Sequence, residues 1–208
     1  MRRETLSLFI ILYFLVGCNR PSKEYYSALD KQEIYFSSFT EEDDDVFWTG
    51  NDGLQRAQIS NGEYYFESLE GNGRYNAPLF SIEPTDDFEI EISVSGSEDD
   101  LIVYYGMVIG QLKKDSSFIE FKINNSGSFL IDSNYPIIEG RFENINFKTF
   151  KKLTVRKLGN DFRFFINEEL KYSYPMDELI NVRTGPLVYK NSSIWVDFVR
   201  INKIKKPL

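Results

Sequence analysis

From Leu101 to Asp132 apolar and polar positions alternate with a period of two, broken twice by short polar reversals. Val103, Tyr105, Met107 and Ile109 stand on one side of the first run, and Tyr104, Gly106, Val108 and Gly110 on the other. This is the spacing of a half-buried strand. After Lys113–Ser117 the alternation resumes with Ile119, Phe121 and Ile123 on the core side, leaving Phe118, Glu120 and Lys122 opposite. Asn124-Asn125-Ser126-Gly127 supplies residues that tolerate the positive φ of a tight hairpin. The stretch therefore predicts a three-stranded antiparallel meander.

The same pattern recurs along the chain. Ile59–Phe66 holds an Asn-Gly turn leading into a strand. Phe88, Ile90, Ile92 and Val94 alternate with Glu89, Glu91, Ser93 and Ser95, which predicts an amphipathic strand with both acids in solvent. Leu153–Lys157 and Phe162–Asn167 flank Leu158-Gly159-Asn160-Asp161 as a further hairpin, and Pro175 ends the run that follows. Gly185–Tyr189 and Ile194–Ile201 complete about 11–13 strands. A single helical turn is expected at Met176–Val182. Many short strands without helical crossovers indicate an all-β antiparallel sandwich of two sheets.

The 208 residues suit one domain, and 18 Phe and 13 Tyr supply an aromatic core. Trp48 and Trp195 are expected within it. The first residues follow another rule. Arg2 and Arg3 precede Leu6–Val16, an apolar run of 11 residues that is too short to span a bilayer and suits the h-region of an export signal. Leu15-Val16-Gly17-Cys18 resembles the lipobox of bacterial lipoproteins, which implies cleavage before Cys18 and diacylglycerol on its sulfur. Cys18 is the only cysteine, so no intramolecular disulfide can form. The expected organisation is a signal peptide at 1–17, a lipidated cysteine and tether at 18–33, a sandwich at 34–203 and a tail at 204–208. Asn19, where an Asp is associated with inner-membrane retention, favours the outer membrane of a bacterial envelope.

Loss of residues 1–17 removes Arg2, Arg3 and Glu4, leaving 22 cations against 31 acids and a net charge of −9. That sign excludes nucleic acid as an expected partner. The absence of His removes Ser-His-Asp and Cys-His nucleophiles and His-based zinc sites. Gly71-Asn72-Gly73 lacks the following Gly and Lys of a phosphate loop. The acidic run Glu41–Asp45 is the one candidate for Ca²⁺; consecutive carboxylates cannot all face one ion, so no metal or cofactor is expected.

Taken in order, Trp48, Ile59–Tyr64, Asp87–Glu91, Tyr105–Gly110, Phe118–Ile123, Gly127–Phe129, Leu153–Asn160, Phe164–Asn167 and Val196–Ile201 resemble concanavalin A-like lectin/glucanase domains. These jelly rolls include laminin G-like modules. The resemblance covers roughly residues 34–203 and implies a jelly-roll sandwich whose concave sheet is the glycan face. Its laminarinase-type hydrolases carry Glu-x-Asp-x-x-Glu on one strand, and the nearest match, Glu89-Ile90-Glu91, has Val94 in place of the last acid. A recognition domain is therefore expected rather than an enzyme, with a glycan as ligand and an envelope protein as the alternative partner. A hydrolase working by carboxylates alone ranks behind both. The candidate ligand residues are Tyr104, Phe118, Glu120 and Lys122.

Overall fold

A computed structural model describes residues 30–40, 45–69, 71, 73–97, 103–133, 137–143, 149–189 and 191–205. Cys18, the acids 41–44 and most of the expected tether lie outside these residues. The described chain is all β, in two antiparallel sheets.

The first sheet has nine strands. Along its main path run β13 (Glu169–Pro175), β12 (Asp161–Ile166), β11 (Lys151–Leu158), β6 (Phe88–Gly96), β15 (Ser193–Ile204), β4 (Glu63–Ser68), β3 (Gln55–Ser60) and β2 (Gly50–Asn51). The ninth, β1 (Lys31–Ser37), also pairs with β15, beyond the segment that pairs with β4. The second sheet has six strands in the order β10 (Ile138–Arg141), β9 (Ser128–Asp132), β8 (Phe118–Ile123), β7 (Tyr105–Leu112), β14 (Leu179–Val188) and β5 (Arg74–Tyr75). The expected meander is thus present as β7, β8 and β9. Its second turn is fixed by the Asn124 carboxamide oxygen, which accepts from the Ser126 and Ser128 N–H groups, with Gly127 at φ 81°.

Between the sheets, Ile90, Ile92 and Val94 of β6 and Leu153 and Val155 of β11 meet Met107, Ile109, Ile119 and Phe121 of the six-stranded sheet. Phe121 and Phe164 pack edge to face across the layer, 5.3 Å apart. At one end Phe39, Phe47 and Tyr64 form an aromatic knot, tied down where the Tyr64 hydroxyl donates to the Trp48 carbonyl.

Three expectations are corrected. Met176–Val182 holds no helical turn: β14 begins at Leu179, and Leu179 and Val182 both turn into the core. Glu89 and Glu91 do not face solvent; Glu89 is 0% exposed. The reason is non-local, because neighbouring strands bring Lys31, Arg156, Lys152 and Arg200 over this face. Lastly, neither tryptophan is in the core. Trp48 is 38% exposed, and Trp195 is half-buried on the outer face of the nine-stranded sheet against Tyr65.

Candidate functional site

On β8 the alternation that buries Ile119, Phe121 and Ile123 turns Phe118, Glu120 and Lys122 to the outer face of the six-stranded sheet. Strand register then fixes their neighbours. Glu120 lies opposite Asp132 on β9 and Val108 on β7, and Lys122 lies opposite Gly106. β7 and β8 approach so closely that a Cβ on Gly106 would collide with the Phe121 carbonyl oxygen, so only glycine fits.

Lys122 is the centre of the polar half of this face. Its ammonium lies 2.5 Å from Glu120 Oε2 and 3.5 Å from Asp132 Oδ2, with 5% of the side chain exposed. An ammonium taken this far out of water needs such partners. The Tyr189 hydroxyl also donates to Glu120 Oε2, at 2.7 Å, and Lys122 Nζ lies 4.9 Å from the centre of the Tyr189 ring. Burial, and then the bond to Glu120, push the Tyr189 hydroxyl above its ordinary value. Gly73 makes room for this ring, since a Cβ there would come within 2.8 Å of it.

The other half is apolar. Tyr75, on the edge strand β5, is 46% exposed, and its ring centre lies 4.7 Å from that of Phe118. Val108 and Leu187, on the two strands between them, are fully buried although they are not part of the central core. At these two residues the outer face is therefore covered rather than open as a groove. Tyr104, just before β7, is half-buried; burial and then the Glu139 carboxylate on β10 raise its hydroxyl above the ordinary value.

The structure thus joins Phe118, Glu120 and Lys122 on one face and leaves Tyr104 beside Glu139. It adds Tyr75, Tyr189 and Asp132, which the local pattern did not reveal. Glu89 and Glu91 are on the other sheet, held by cations. Among the described residues no group of three or more Asp, Glu, Cys or His side chains is placed to hold a metal ion.

No family model matches the sequence, and no curated protein matches it either. Solved structures do resemble the fold. The catalytic domain of an endo-1,3-beta-glucanase (laminarinase) from Thermotoga petrophila superposes with a TM-score of 0.63 at 10% identity, covering 86% of this chain and 100% of that one. An endo-beta-1,3-glucanase from Pyrococcus furiosus gives 0.61 at 8% identity, covering 86% and 97%. The CBM2 module of the evolved Dit of Lactobacillus casei phage J-1 gives 0.55 at 9% identity, covering 86% and 99%. The likeness is one of fold: the chain has the jelly-roll sandwich of concanavalin A-like glucanase domains.

Proposed function

We propose that this chain is a lipid-anchored recognition domain of the bacterial cell envelope that binds carbohydrate on the outer face of its six-stranded sheet without cleaving it. The observation that carries this reading is the pairing of the Tyr75 and Phe118 rings beside the Lys122-bridged carboxylates Glu120 and Asp132. Rings offer flat apolar surfaces to the C–H faces of sugars, while carboxylates accept from hydroxyls. Two of the similar folds named above are enzymes of β-1,3-glucans, which makes such a glucan the first ligand to test.

Glycoside hydrolysis by paired carboxylates needs one as acid and the other free to act as nucleophile or base. Here one ammonium is ion-paired to both Glu120 and Asp132, and the Tyr189 hydroxyl occupies Glu120 as well. Laid along β8, the Glu-x-Asp-x-x-Glu spacing meets Phe118, Glu120 and Ile123, one acid in three positions. Both features support binding without turnover.

Calorimetric titration with β-1,3-glucan oligosaccharides, paired with an assay for new reducing ends, tests the proposal. Saturable binding with no release is expected, and release of reducing ends that depends on Glu120 overturns it. The anchor is tested separately: Cys18→Ala is expected to abolish acyl labelling and membrane retention, and a variant that stays on the membrane removes that part of the reading. A second reading, an envelope-protein interface, draws on the burial of Val108 and Leu187 on this face, which leaves no open groove over them. It is favoured if Tyr75→Ala abolishes a protein cross-link in intact cells while no glycan binds.

A further inference from the structure

The outer face of the nine-stranded sheet carries a second aromatic surface that the glycan reading does not use. Phe36 on β1 lies opposite Arg200 on β15, and Tyr65 on β4 lies opposite Trp195. The Arg200 guanidinium sits 4.7 Å from the centre of the Phe36 ring and 5.6 Å from that of Phe198. Trp195 meets Tyr65 edge to face at 5.2 Å, and Arg56 lies 5.5 Å from the Tyr65 ring centre. Phe36 is 43% exposed. Both arginines are balanced locally, Arg56 by Glu67 at 2.8 Å and Arg200 by Glu33 at 3.4 Å.

We propose that this face, centred on Phe36, Phe198, Trp195 and Tyr65, rests on the lipid bilayer to which the chain is tethered; the proposal depends on the lipid-anchor reading above. The amphipathic rings of Trp195 and Tyr65 and the long arginine stems are side chains that sit at a membrane interface, apolar bodies inward and polar ends in water, and the Phe36 and Phe198 rings add apolar surface beside them. Twelve residues separate Cys18 from Lys31, the first residue of β1. Fully extended they span about 40 Å at most. The tether enters the strand that carries Phe36, so the patch lies within reach of the lipid surface. Tethering makes docking intramolecular, with an effective concentration on the order of millimolar, so a patch of weak intrinsic affinity is still occupied. The net charge of −9 opposes an anionic surface, but the paired arginines leave the patch itself balanced, and salt screens the remainder beyond about 10 Å. In this orientation the opposite face, with Tyr75 and Phe118, points away from the membrane.

The experiment uses the lipidated chain in phosphatidylethanolamine and phosphatidylglycerol vesicles containing brominated lipid. Trp48→Phe leaves Trp195 as the only tryptophan; it is the Trp48 carbonyl, not its ring, that Tyr64 and Asn76 bond. Trp195 fluorescence is expected to be quenched more by bromines near the headgroups than by bromines near the chain ends, and Phe36→Glu is expected to reduce that quenching severalfold. Unquenched Trp195 in protein that still floats with the vesicles overturns docking while leaving the anchor intact. Trp195 that responds to soluble glucan or to an added envelope protein instead overturns it in favour of those occupants. Protein that fails to float with the vesicles at all overturns the anchor reading, and docking with it.

Discussion

Tyr75 and Phe118 touch, at 4.7 Å between ring centres, although their strands are separated by both β14 and β7. Three interstrand spacings amount to about 14 Å of backbone. The rings meet only because each leans inward over the face, on which Val108 and Leu187 are buried.

That geometry gives the two rings different expected costs. Tyr75 sits on a two-residue edge strand and is nearly half exposed, so Tyr75→Ala is expected to change stability by less than about 1 kcal/mol. If the pair is the sugar platform, the same substitution weakens glucan binding about tenfold, which corresponds to about 1.4 kcal/mol. Phe118→Ala is expected to lose both binding and about 1–3 kcal/mol of stability, because it removes a half-buried ring that packs against Tyr75. Calorimetry and denaturant melts on both variants separate the effects; unchanged binding in Tyr75→Ala counts against the platform.

The close approach of β7 and β8 rests on Gly106. Its Cβ would have to occupy the position of the Phe121 carbonyl oxygen, which is backbone and cannot rotate aside. Gly106→Ala is expected to cost about 3 kcal/mol, the upper end of the range for overpacking that also shifts backbone. It should displace Lys122, the residue opposite, so glucan binding falls as well. A melt that matches the wild type would show that the strands can separate freely.

Much of this was legible in the sequence, and what was missed has a common cause. Hairpins announced themselves through residues that accept positive φ: Asn61 at 55° and Gly62 at 78° turn β3 into β4, and Gly159 at 59° turns β11 into β12. Alternation on β8 correctly put Phe118, Glu120 and Lys122 on one face. Alternation on β6 was misleading, since a strand with acids on one side reads the same whether water or cations cover them. Arg156 and Lys31, the partners of Glu89, lie 67 and 58 residues away. Tyr75 lies in a two-residue strand with no period to detect, and Tyr189 reaches Glu120 only because β14 lies beside β7.

Alkaline pH probes a different buried ring. The Tyr105 hydroxyl donates to Asn125 Oδ1 at 2.8 Å, and Asn125 in turn donates to the Ser97 carbonyl. Burial pushes the Tyr105 hydroxyl up to about 12. An unfolded tyrosine titrates near 10, so the folded state holds this proton more tightly. The resulting stability is fully present below about pH 10 and is lost as pH rises through about 12, amounting to about 2–3 kcal/mol. Melting temperatures should be level from pH 7 to 9 and fall beyond 10. Tyr105→Phe should be less stable at pH 7, by about 1–2 kcal/mol for the unpaired Asn125, yet show a shallower alkaline decline. An unaltered slope in that variant would remove Tyr105 as its source.

The buried charge on β6 offers the sharpest test of how the nine-stranded sheet tolerates acids inside. Glu89 accepts from Arg156 Nε at 2.9 Å and from its Nη2, and both side chains are wholly buried. Lys31 reaches the second carboxylate oxygen from β1, at 2.5 Å. Removing one member of a buried pair leaves a charge without compensation, which costs about 3–5 kcal/mol, whereas replacing both by apolar groups of similar size is often neutral. Arg156→Met is therefore expected to lose about 3 kcal/mol, towards the lower end because Lys31 remains. Adding Glu89→Met to that background should recover most of the loss, although it removes the Glu89 carboxylate from Lys31, which is partly exposed and can turn to water. Denaturant melts of the two singles and the double complete the cycle. If the double variant is as unstable as the sum of the singles, the pair is not the coupled unit that its geometry indicates, and the acids of β6 are held by packing instead.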